Sequence, residues 1–226
     1  MGPVIEHTNI VVGLMALHLL LSMAAVETRN LRAATAALVL QSATLAAIFG
    51  TFGMLWNQPW LYAACVNAFL TKAIFIPVLL FYYIRRLPER EVLPIIGFRM
   101  SVLLNITLVV ILYHLFYTYM YLVAPTREAL VDPNRSSLAM ALVVFTLGAY
   151  VCAARRDVVK MVIGLVLLEN GSHLAVVTLA PQLPETTLIV VASNVVIATW
   201  LLVYLSKRVY EILRTTDVTL LSRLRR

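Results

Sequence analysis

Residues 60–86 read WLYAACVNAFLTKAIFIPVLLFYYIRR. Between Trp60 and Ile84 only Asn67, Thr71 and Lys72 interrupt an apolar run, and Arg85 and Arg86 close it. A helix rises about 1.5 Å per residue, so about 20 apolar residues cross the hydrocarbon core of a bilayer. The run therefore predicts a spanning helix over 60–84. A strand of a membrane barrel would alternate apolar and polar positions over about ten residues, and this stretch does not.

Outward from it, six further apolar stretches of the same kind lie near 8–26, 32–56, 97–123, 137–154, 158–180 and 186–206. The expectation is an all-α polytopic membrane protein of about seven transmembrane helices, one transmembrane domain over 1–226. Its parts are a first group of three helices (1–90), a linking helix with its loops (91–136), a second group of three (137–208) and a basic amphipathic tail (209–226). Composition agrees: 62% of the 226 residues are hydrophobic and 13% charged, against about 45–50% and about 25% in soluble domains. A mean hydropathy of +0.90 excludes a soluble enzyme and a disordered chain. Glu6 precedes the first apolar run and no Lys or Arg does, so that run reads as a permanent span, since a signal peptide leads with positive charge.

The net charge of +7 does not point to nucleic acid, because the basic residues sit in short clusters between apolar runs, the pattern of membrane topology. Fifteen of the eighteen fall on one side, in the connections 29–32, 85–99 and 155–160 and in the tail after 206. Arg127 and Arg135 fall on the other, and Lys72 lies inside a span. By the positive-inside rule the N-terminus is outside and the C-terminus cytoplasmic. Trp56, Trp60 and the tyrosines 113, 117, 119 and 121 then sit at the outer interface as anchors. Cys65 and Cys152 lie in different spans without metal-ligand spacing and read as free thiols. A weak internal likeness of 29–45 to 156–173 suggests a parallel three-helix repeat, with Gln41 opposite Glu169 and Lys72 opposite Asn194.

Ionisable side chains in a bilayer centre cost about 2.5–3.5 kcal/mol on insertion scales, so each needs a reason. Lys72 lies mid-span, five residues before Pro77, which has no N–H and frees the carbonyl of Ala73 from its helical donor. A lysine beside a helix break suits a proton relay; it equally suits a structural lysine paired with Glu169 or with carbonyls. Glu169 and His173 stand four residues apart on one helix face, a carboxylate and an imidazole placed to exchange a proton or to hold a static bond. Asn194 is polar at mid-span, cannot titrate, and positions water or joins helices. His18, Gln41, Asn67, Asn105 and His114 read as packing and hydrogen-bonding residues, and Glu27 as interfacial. The proton-path candidates are thus Glu169, Lys72, His173 and Asn194. No catalytic constellation, phosphate loop or metal site is legible, and no cofactor is expected on this chain. The tail places Ile212, Leu213, Val218, Leu220, Leu221 and Leu224 among basic residues, a pattern that lies on anionic lipid or docks a soluble partner.

The segment RRDVVKMVIGLVLLENGSHL at 155–174 resembles the small K subunit of the complex I membrane arm and its Na+/H+ antiporter relatives. Its Leu-Glu-Asn-Gly-Ser-His-Leu ending resembles more closely the hydrogenase 4 component E family, as do Ala68-Phe69-Leu70-Thr71-Lys72 with Pro77 downstream and Thr216-Asp217-Val218 in the tail. The resemblance implies a non-catalytic membrane-arm subunit of a group 4 [NiFe]-hydrogenase, formate hydrogenlyase-type or other complex I-related oxidoreductase, with 137–208 matching the K subunit. It implies an inner-membrane location, antiporter-like and complex I-like membrane partners, and a soluble hydrogenase-like or iron–sulfur arm on the cytoplasmic side. Two departures stand out. Val166 occupies the position of the K subunit's first membrane glutamate, with Glu169 one turn on, and Asn194 aligns with the second acidic position. The rival readings are a subunit of a multi-chain Na+/H+ antiporter and a purely structural scaffold.

Overall fold

The computed structural model describes residues 2–87, 91, 97–127, 129–155, 157–180, 195–205 and 207–208, with side chains from residue 10 onward. Among the described residues six helical stretches are long and apolar enough to cross a membrane: Ile10–Glu27, Leu31–Trp56, Trp60–Ile84, Phe98–Thr118, Asn134–Ala154 and Val158–Leu179. A shorter apolar helix, Val195–Leu205, falls within the seventh predicted span. Among the described residues there is no strand ladder, only one isolated bridge between Asn30 and Glu91. The fold class is all-α and membrane-spanning, as the sequence leads one to expect.

Local chemistry sets the ends. Helix α1 runs Gly2–Glu27, and α2 (Leu31–Trp56) starts at Asn30, whose side chain accepts from the N–H groups of Arg32 and Ala33. That satisfies two of the orphan donors of a helix start. Asn57 ends α2 in the left-handed conformation at φ 51°, a cap geometry that asparagine tolerates. Gly97, at φ 81°, precedes α5 (Phe98–Thr118). The predicted span 97–123 is in fact two pieces, α5 and the short α6 (Met120–Val123), broken at Tyr119. Helix α7 covers Asn134–Ala154, and α8 (Val158–Leu179) is capped by Asp157, which accepts from Val159 and Lys160. Val195–Leu205 is α9.

The third span is irregular at the place the sequence marks. It consists of α3 (Trp60–Ala68), a π-helical stretch Phe69–Phe75 and α4 (Ile76–Ile84), with Pro77 in the first turn of α4. The Ile76 N–H reaches back five residues to the Thr71 carbonyl. The expected gap in the ladder is thus accommodated by widening the helix rather than by breaking it. Short π segments of this kind are often found at functional sites, and Lys72 lies within this one.

Helices α7 and α8 form the central pair, and three glycines set their distance. A Cβ on Gly148 would lie 2.3 Å from the Leu168 nitrogen, and one on Gly171 would lie 2.3 Å from the Phe145 nitrogen. A Cβ on Gly164 would meet Val151 at 2.9 Å and the Gly148 carbonyl at 3.0 Å. Small residues that let backbones touch are the usual glue of membrane helices, because lipid supplies no hydrophobic drive between them. With 67% of its span buried, α8 is the centre of the bundle, and α5, at 17%, lies at its edge.

Candidate functional site

The face of α8 that the glycines do not use carries Glu169 and His173, one turn apart. The π segment of the third span brings Lys72 to them. Lys72 Nζ is 3.2 Å from Glu169 Oε2 and 3.0 Å from His173 Nδ1, and His173 Nε2 is 3.7 Å from Glu169 Oε1. All three residues are buried, Lys72 to 1% exposure and Glu169 to 3%. An ammonium only donates, so Nδ1 of a histidine facing it is the bare nitrogen and Nε2 holds the proton, turned to the carboxylate. Among the described residues neither Glu169 oxygen nor His173 Nε2 meets hydrogen-bond geometry, so Glu169 is held in the triangle by ion-pair approach alone. The three candidates therefore form one closed triangle of a donor, a carboxylate and a ring that can hold a proton on either nitrogen. Pro77 is buried two residues beyond the π segment. Asn194 lies outside the described residues, as does the tail from 209.

A second set of buried polar groups abuts the triangle through Asn170, the neighbour of Glu169. Asn170 Nδ2 donates to Gln41 Oε1 at 2.8 Å. Gln41 Nε2 donates to His18 Nε2 at 3.0 Å and approaches Ser22 Oγ at 3.3 Å. His18 Nδ1 then holds the proton and gives it to the Gln41 carbonyl at 3.0 Å, with Thr44 Oγ1 at 3.1 Å. His18, Gln41 and Asn170 are each exposed by 1% or less. His18 and Gln41 read in the sequence as lone polar residues, and Asn170 follows Glu169; only the packing of α1, α2 and α8 joins them into a line.

A third set, at the end of the bundle where α1 stops and α5 and α8 begin, has little signal in the sequence. Glu27 is held by Arg155 Nη2 at 3.2 Å, Ser101 at 3.1 Å and Asn105 at 3.0 Å, so it is a paired group and more than an interfacial charge. Lys160 Nζ donates to the carbonyls of Ala25, Val26 and Thr28 at 2.8, 3.0 and 2.6 Å. It thereby caps the C-terminus of α1 from another helix, where a cation also suits the helix dipole. In the sequence Lys160 counts as a loop charge, yet it is 1% exposed. Its one sequence signal is the Asp157 cap, which puts Lys160 inside the first turn of α8. Burial pushes the Asp157 carboxyl above the usual carboxylate range, against the two hydrogen bonds of its cap and the charge of Lys160. His114 is exposed on α5, and both cysteines are free thiols.

Comparison with known proteins covers the whole of this frame. Hydrogenase-4 component E of Escherichia coli (strain K12) is 28% identical over 219 residues, 96% of this chain and 97% of the relative. This chain is similar to hydrogenase-4 component E over almost its whole length. The component E proteins of Escherichia coli O157:H7 and Shigella flexneri match to the same extent. Residues 136–226 match the family of NADH-ubiquinone/plastoquinone oxidoreductase chain 4L. That match takes in α7, α8 and α9, hence Glu169 and His173, while Lys72 lies in the part that only component E covers. No solved structure matches the chain significantly. Spanning helices and a component E relative together make this a multi-pass protein of the inner membrane.

Proposed function

We propose that this chain is a non-catalytic membrane-arm subunit of a complex I-related oxidoreductase, of the group 4 [NiFe]-hydrogenase or formate hydrogenlyase type. Within it, Lys72, Glu169 and His173 carry part of a proton path. The likeness to hydrogenase-4 component E and to chain 4L supports membership of such a complex. The observation that carries the proton role is the buried triangle, because a carboxylate, an amine and an imidazole within 3.7 Å of one another are three groups able to trade one proton. Moving the proton from Lys72 to Glu169 cancels both charges, and adding one to His173 while Lys72 is charged sets two cations against each other across 3.0 Å. Small changes in neighbouring subunits then shift which group is protonated, and the widened helix around Lys72 gives it room to move. Asn194 positions water beyond the triangle, and the basic end faces the cytoplasm with the soluble iron–sulfur arm.

The test is proton movement per assembled complex. Glu169→Gln is expected to abolish coupled proton transfer while the complex still assembles; normal pumping by that assembled variant overturns the proposal. If Lys72→Met and Glu169→Gln lower assembly but leave coupling per complex unchanged, the triangle is a scaffold. A purified complex with antiporter-like subunits and no redox metals points instead to a Na+/H+ antiporter.

A further inference from the structure

A groove of about 550 Å³ opens where α2 begins and α4 ends, lined by Arg32, Val78, Phe81, Tyr82 and Arg85. Arg32 stands in the first turn of α2 and Arg85 caps α4, so both guanidinium groups sit where the apolar runs stop and lipid headgroups begin. Among the described residues no carboxylate lines the groove, and no hydrogen bond or ion pair occupies either guanidinium. The wall below them is apolar: Val78 is 61% exposed, and Ile74 and Phe75, a turn further into the membrane, also face outward. Tyr82 is fixed at the rim by Arg86, whose guanidinium lies 4.4 Å from the ring centroid and bonds the Tyr82 hydroxyl.

We propose that this groove binds an anionic phospholipid, its phosphate between Arg32 and Arg85 and an acyl chain along Val78 and Phe81. Guanidinium forks match phosphate oxygens in geometry as well as charge, and basic pockets between membrane helices favour acidic headgroups. A soluble phosphate satisfies the arginines but leaves the apolar wall uncovered, whereas a phospholipid fills both halves of the groove. This reading stands apart from the proton role of the triangle.

The experiment uses the whole chain extracted in its native complex, delipidated mildly and titrated with phosphatidylglycerol or phosphatidylcholine, with bound lipid counted by native mass spectrometry. Wild type is expected to prefer phosphatidylglycerol. Each arginine contributes about fivefold in affinity and the pair about thirtyfold, so Arg32→Gln/Arg85→Gln is expected to erase the preference. Arg32→Lys/Arg85→Lys keeps the charge and most of the binding, which separates loss of the site from loss of the fold. Arg127→Gln, a change elsewhere, leaves binding unaltered. Equal binding by wild type and the double Gln variant overturns the proposal. So does displacement of the lipid by millimolar inorganic phosphate. A photo-crosslinker at Val78 is expected to capture phospholipid, and capture of a neighbouring subunit there overturns the proposal as well.

Discussion

At the residue scale, the charges in this membrane protein survive by pairing. Lys72 and Glu169 are 3.2 Å apart and nearly unexposed, so removing one leaves the other buried and unmatched, which costs about 3–5 kcal/mol in comparable pairs. Replacing both partners by apolar residues is often close to neutral. Lys72→Met alone is therefore expected to lower the melting temperature of the extracted complex markedly. Lys72→Met/Glu169→Leu is expected to recover most of that loss while still failing to move protons. A double variant as unstable as the sum of the two single ones means the residues are not energetically coupled.

At the scale of elements, two contacts fix the bundle. The α7–α8 pair tolerates no side chain at its crossings, because the added Cβ at Gly171 meets backbone, 2.3 Å from the Phe145 nitrogen, rather than a side-chain end that can swing away. Gly171→Ala is expected to destabilise by about 1–3 kcal/mol. Gly13→Ala, where nothing lies within 4 Å, is expected to stabilise α1 by up to about 1 kcal/mol. Thermal unfolding of the two variants side by side checks the contrast. The other contact is Lys160 on the end of α1. Lys160→Met removes three charged hydrogen bonds and leaves buried carbonyls with no donor, a loss on the order of 3 kcal/mol. Its signature is faster hydrogen exchange of the last turn of α1, and unchanged exchange there means the lysine is dispensable.

At the scale of the whole molecule, the bundle gathers 27–32, 98–105 and 155–160 at one end, as the contacts of Glu27 with Ser101 and Arg155 and of Arg29 with the Phe98 ring at 4.1 Å require. Most of the chain's basic residues belong to that end, so we expect it in the cytoplasm. In a variant lacking Cys65 and Cys152, a membrane-impermeant maleimide added outside cells is expected to label Arg127→Cys and to spare Arg29→Cys. The reverse labelling pattern inverts the topology. The outward faces of the third span and of α5 carry large apolar side chains such as Val78, Leu103 and Val110, as surfaces meeting lipid or other subunits do.

Fold class was legible from the sequence, because the bilayer demands long apolar runs whose lengths can be read directly. That Lys72, Glu169 and His173 are ionisable residues within spans was legible too, since a charge in such a run is costly enough to stand out. So was the irregularity ahead of Pro77, because a missing N–H is written in the residue itself, although its form as a π segment was not. Tertiary structure alone decided that the three charged groups meet, that His18, Gln41 and Asn170 form one line, and that Lys160 serves α1 rather than a loop. Each of those depends on how far one helix is rotated and shifted against another. That is set by packing between residues well apart in the chain, and no local pattern encodes it.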